Sequence, residues 1–206
     1  MDSFVWALMV MAGLWWLKNR DDRQRIALLG SQLVHYQIEK LMEQLTQGYL
    51  RALGETDPDR RAQIWSTLQG AEQQLAEQFA RFSADMARLP TDRTRMRRVP
   101  LPYADRWWPG APLDLRALLQ VHAKGLREVA DNAEGRPLKA NAHMLLAEML
   151  LMQHTCHWFC KSQTVASARL LARHRTSHEQ VLQAVSAGTD RDYQALLEGR
   201  SPQASR

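Results

Sequence analysis

The stretch "HTCHWFC" places His154, Cys156, His157 and Cys160 within one short run, four side chains whose nitrogen and sulfur atoms suit zinc. Around them, the apolar residues read as one long helix from about Leu138 to the region of Lys161, and successive side chains of a helix turn by about 100°. His154 and His157 then share a face with His143 and Lys161, while Cys156 points almost the opposite way. One helix cannot close such a site alone. A metal centre would need His154, His157 and Cys160 plus a second helix, with His122 as the conceivable fourth ligand. The competing reading is a pair of buried cysteines beside a partly exposed histidine face.

Glu148 falls on the face of the same helix that carries Met152 and Phe159, the position of a buried carboxylate. Burial raises a carboxyl pKa, which is useful in catalysis, but nearly all buried charges are paired. Arg116, Arg127 and Lys139 are the expected partners. The chain has no glycine-rich phosphate loop, no nucleophile elbow and no paired-carboxylate helix motif. The sequence therefore predicts neither an enzyme nor a cofactor.

A second set of chemically active residues lies in "PTDRTRMRRVPLPYADRWWPGAP", residues 90–112, too rich in proline for regular structure. Arg93, Arg95, Arg97, Arg98 and Arg106 precede or flank Tyr103, Trp107 and Trp108. Arginine beside tryptophan suits anionic headgroups and the membrane interface, so Arg95, Arg97, Arg98, Trp107 and Trp108 are candidate lipid contacts. Two other readings stand beside it. The loop could be ordered, with its aromatics packed on neighbouring helices, or it could form a single-strand nucleic-acid groove. No recognition helix or stacking sheet accompanies the patch, which disfavours nucleic acid as a partner.

The elements that position these residues begin with "SFVWALMVMAGLWWLKNR". Phe4 to Leu17 is an unbroken apolar run with no polar face, about 21 Å long as a helix. A secretory signal has its basic residues first and small residues at a cleavage site, whereas here Lys18, Arg20, Arg23 and Arg25 come after the run. Trp6 at one end, with Trp15 and Trp16 at the other, resembles an aromatic belt, and Lys18 and Arg20 can snorkel to headgroups. The expectation is a single-pass anchor over residues 1–19, its N-terminus outside and the bulk of the chain cytoplasmic. An arginine- and alanine-rich composition with net charge +5 and two cysteines fits a bacterial protein in a reducing compartment. The bilayer in question is thus the bacterial inner membrane.

The remainder reads as all-α. Val34, Ile38, Leu41 and Leu45 form one helical stripe. Ile64, Leu68, Ala71, Leu75, Phe79, Phe82, Met86 and Leu89 form a coiled-coil-like second, with Gly54 as a stop and Asp57-Pro58 as a restart between them. Residues 20–89 are expected to make an antiparallel hairpin about 50 Å long. After the linker, residues 113–198 form a small helical bundle, opened by an Asp114 cap. Ser177 with Gln180 marks a capping box, Gly188 a helix end and Asp190 a last cap, and residues 199–206 are a tail. The predicted role is a non-catalytic scaffold or adaptor that holds a protein partner at the membrane and self-associates through the hairpin. A metal- or ligand-sensing bundle using residues 154–160, and a membrane-tethered nucleic-acid binder, are the alternatives.

Overall fold

A computed structural model describes residues 2–97 and 113–200, and these are all-helical, with one isolated backbone bridge between Arg95 and Asp114. The helices are α1 (Asp2–Leu33), α2 (Ile38–Gly54), α3 (Pro58–Ala87), α4 (Thr91–Thr94), α5 (Leu115–Asp131), α6 (Leu138–Cys160), α7 (Gln163–His174), α8 (His178–Ala184) and α9 (Ala187–Leu197). Arg98, Trp107 and Trp108 lie outside the described residues, as does the tail from 201.

Local signals place most helix starts. The Asp57 carboxylate accepts from the amides of Asp59 and Arg60 and opens α3 with Pro58 in its first turn. Asp114 accepts from Arg116 N to open α5, and Ser177 and Gln180 close the capping box that starts α8. The last cap differs from expectation. Ser186, not Asp190, accepts from Thr189 N and starts α9, so Gly188 falls inside that helix instead of ending α8.

Three larger expectations are corrected. The first concerns the anchor: among the described residues no helix is long and apolar enough to cross a membrane. The reason lies in α1, where the apolar run gives way to Lys18, Asn19, Arg20, Asp21 and Asp22 within the same helix. The second concerns the hairpin. The chain from 20 to 53 is not one helix, because α1 ends at Leu33 and α2 starts afresh at Ile38. Tyr36 sets the break. Its ring meets Phe82 edge-on at 5.8 Å and its hydroxyl donates to Asp85 at 2.5 Å, while Gln37 N donates to the Gln78 side chain. These contacts with α3 outweigh the continuation of a helical ladder across residues 34–37.

The third concerns partnership. α2 pairs with α3 as expected, and Tyr49 donates to Glu72 at 2.5 Å inside that pair. The other side of α3 packs against α5, and α1 beyond residue 20 turns to α6, so one continuous core runs from Leu28 to Tyr193. The apolar stripe of α3 is broad enough to serve two neighbours, because a 3.6-residue period drifts around the helix over 30 residues.

Candidate functional site

The N-terminal part of α1 stands clear of this core. Phe4, Val5, Trp6, Leu8, Met9, Val10, Met11, Leu14, Trp15 and Trp16 are all exposed, Phe4 at 70% and Trp15 at 67%. These positions cover every side of the helix. A surface helix normally has a polar face, and a helix apolar all round is one that belongs in an apolar medium. At the base of the arm, Arg20 lies over the Trp16 ring at 5.6 Å, and Trp15, Trp16, Asn19, Arg20 and Arg23 border an open groove of about 510 Å³.

Directly above that base is the joint that fixes the arm to the bundle. Arg97, 1% exposed, donates from Nη2 to Asp22 Oδ1 at 2.5 Å and to the Lys161 carbonyl at 2.8 Å, and its Nη1 lies 3.1 Å from Asp21 Oδ2. Lys18 and Lys161 also donate to Asp22, while Arg25 donates to Asp21 and, through Nη1, to the Arg95 carbonyl at 2.6 Å. Trp158 Nε1 donates to the Arg97 carbonyl at 2.7 Å, so the joint binds α1, the segment after α4 and the end of α6 together. Burial opposes ionisation of Asp22, but Arg97, Lys18 and Lys161 outweigh it and hold its carboxyl below the usual range.

The expected lipid contact of Arg97 is therefore corrected: two adjacent carboxylates one turn above the arm draw its guanidinium inside. Arg95 is half-buried and its backbone is held by the bridge to Asp114, which leaves Trp6, Trp15, Trp16, Lys18 and Arg20 on the arm itself. The nucleic-acid reading weakens with the same finding, since the middle of its basic run faces carboxylates.

No family model matches the chain, and no curated protein or solved structure matches it either. Its own geometry has to carry the functional reading.

The histidines occupy the other face of α6. His154 and His157 line a cleft of about 370 Å³ against α7, together with Gln153, Arg169, Leu170 and Arg173. His154 is buried, its Nε2 is 3.0 Å from Ser167 Oγ, and its ring stacks on His178 with centroids 4.1 Å apart. Burial, with His178, His157 and His122 adding like charge, pushes its pKa down to about 3. His122 is fully buried and is likewise pushed down to about 3 by burial. Thr155 Oγ1 donates to the Leu151 carbonyl at 3.1 Å and lies 2.9 Å from His122 Nε2.

Cys160 is not part of the cleft. It packs half-buried against the hydrophobic core, and burial pushes its thiol up to about 11, as it pushes Cys156 up to about 12. Among the described residues no three His, Cys, Asp or Glu side chains gather to hold a metal ion. The structure thus brings His154 and His157 to one cleft and separates Cys160 from it.

Sequence reasoning missed α7, the opposite wall of the cleft. Its signals are present: Ser162 accepts from Val165 N as a cap, and Ala166 and Leu170 recur one turn apart on the buried face.

Glu148 is buried as expected, but none of the three expected cations is its partner. Its Oε1 accepts from Ser186 N at 3.0 Å, at the start of α9, where the helix dipole and free amides favour a carboxylate. Gly125 on α5 makes room: a Cβ there would lie 2.7 Å from Glu148 Oε2 and 2.1 Å from Thr189 Oγ1. Burial outweighs the hydrogen bonds and raises the Glu148 pKa to about 7. With the folded value above the unfolded 4.5, the stability tied to the protonated form is complete below pH 4.5 and is lost as pH rises to 7. Glu148→Gln keeps the acceptor without the charge. Urea titrations should find the variant about 2–3 kcal/mol more stable than the parent at pH 8 and equal to it near pH 4.

Proposed function

We propose that the protein is a membrane-anchored, non-catalytic helical scaffold, which holds a protein partner at the cytoplasmic face of the bacterial inner membrane. The observation that carries this reading is the arm of α1, whose side chains from Phe4 to Trp16 are apolar and exposed on all sides. A protein groove covers one face of a helix, whereas lipid covers all of them. Trp15 and Trp16 beside Lys18 and Arg20 match the border between hydrocarbon and headgroups, with net positive charge drawn to anionic lipid. At about 21 Å the apolar run is shorter than a hydrocarbon layer of about 30 Å, so the anchor is a short inserted helix. The joint built on Arg97 supports the scaffold role, because a rigid base sets the orientation of the whole bundle relative to the arm.

Vesicle flotation tests the reading. The full chain should float with vesicles of phosphatidylcholine and phosphatidylglycerol, and Leu8→Lys with Met11→Lys should stay in the aqueous fraction. A lysine at the centre of an inserted helix costs about 2.5–3.5 kcal/mol, a loss of about a hundredfold in partitioning for each. A wild-type chain that stays aqueous and sediments as a concentration-dependent oligomer would instead assign the arm to self-association.

A further inference from the structure

The cleft between α6 and α7 has a composition that the scaffold role does not need. Arg169 and Arg173 stand one turn apart on α7 and face His154 and His157, one turn apart on α6. Among the described residues no acidic side chain lines the cleft and neither arginine has an ion-pair partner. His174 lies at the same cleft and adds a further nitrogen donor. His154 forms part of the wall behind His157: it is 1% exposed, its Nε2 meets Ser167 Oγ and its ring stacks on His178.

We propose that this cleft binds the phosphate group of a small phosphate-bearing molecule, with Arg169 and Arg173 holding the phosphate oxygens and His157 donating to it. Paired guanidinium groups match the several oxygens of a tetrahedral oxyanion better than a single ammonium does. Ala166, Leu170 and Ala172 give the cleft an apolar wall, and its volume leaves room for an organic group beside the phosphate. The existing electrostatics fit the same conclusion. Burial, then Arg169, Arg173 and His174, lowers the pKa of His157, the signature of positive charge gathered without a counterion.

The phosphate can come from solution or from a lipid headgroup. His157 is one turn from Lys161, which bonds Asp22 at the base of the arm, so the cleft lies near the end of the bundle that the arm would hold to a membrane. Calorimetric titration of the full chain in neutral detergent with glycerol 3-phosphate covers the first source. The same titration with phosphatidic acid added to the micelles covers the second.

Saturable binding of either probe is expected, weakened on the order of a hundredfold in Arg169→Ala/Arg173→Ala, whose changes fall on exposed side chains. Arg169→Lys/Arg173→Lys should recover part of the affinity by restoring charge without the fork. Binding should also take up a proton as His157 gains an anionic neighbour, read as a buffer-dependent heat near pH 6.5. Response to glycerol 3-phosphate assigns a soluble ligand, and response to phosphatidic acid alone assigns a lipid. No binding of either probe, or binding unchanged in the alanine variant, overturns the proposal. Leu8→Lys with Met11→Lys changes the arm and leaves the cleft intact, and Arg169→Ala/Arg173→Ala changes the cleft and leaves the arm intact, so failure of the anchor and failure of the cleft are separate results.

Discussion

Replacing Arg97 by alanine is expected to cost about 3–5 kcal/mol of stability, the range found when one member of a buried ion pair is removed. For a chain of this size the corresponding fall in Tm is roughly 10 °C. The cost comes from what stays behind. Asp21 keeps Arg25, and Asp22 keeps Lys18 and Lys161, but the guanidinium that bridges both carboxylates and the Lys161 carbonyl is gone. Arg97→Met with Asp22→Asn should recover part of the loss, since the stranded charge is removed and the two lysines are exposed enough to rehydrate. Arg97→Lys should fall between the parent and alanine, because an ammonium cannot reach all three partners at once. Urea denaturation of the four proteins at pH 7.5 measures these differences; equal midpoints for parent and Arg97→Ala would exclude the joint as a source of stability.

Acid should weaken the bundle through two buried histidines. For His122 and His154 the folded pKa, about 3, lies below the unfolded 6.5, so their stabilising contribution is complete above pH 6.5 and falls away as pH drops towards 3. Each loses about 1.4 kcal/mol per pH unit in that window, or about 2 kcal/mol apiece at pH 5. Glu148 acts in the opposite sense between pH 7 and 4.5, and so masks part of the loss. Two variants separate the effects. His122→Gln, which keeps a polar partner for Thr155, should gain about 2 kcal/mol on the parent between pH 7.5 and pH 5. Glu148→Gln, lacking the compensating group, should lose stability more steeply than the parent over the same interval. Denaturation midpoints taken across pH 4–8 test both slopes, and parallel curves for all three proteins would contradict the assignments.

These two predictions rest on features that differ in how far they could be read in advance. Burial of Glu148 followed from its sharing a face with Met152 and Phe159, but its partner is the Ser186 amide just before α9, 38 residues away, not one of the expected cations. The histidine face of α6 was legible from 3.6-residue periodicity. That His154 stacks on His178 was not, because the contact depends on how α8 folds back. The turn at residues 34–37 was hidden by an uninterrupted helical pattern. Nothing local breaks it, and Tyr36 is pulled to Phe82 and Asp85 from a distant helix.

The sequence by itself determined the all-helical class, the caps at Asp57, Asp114 and Ser177, the apolar arm with tryptophan and basic residues at its base, and the long helix that carries His154 and His157. All of these are encoded by neighbours a few residues apart, through hydrogen bonds at helix ends and side-chain spacing along one face. Only the tertiary structure decided that Arg97 faces Asp21 and Asp22 instead of lipid, that Cys160 leaves the histidine cleft, and that α7 brings Arg169 and Arg173 to it. An arginine is equally at home against water, a headgroup or a carboxylate. Which of these it meets depends on residues some 75 positions away, and spacing along the chain carries no record of that encounter.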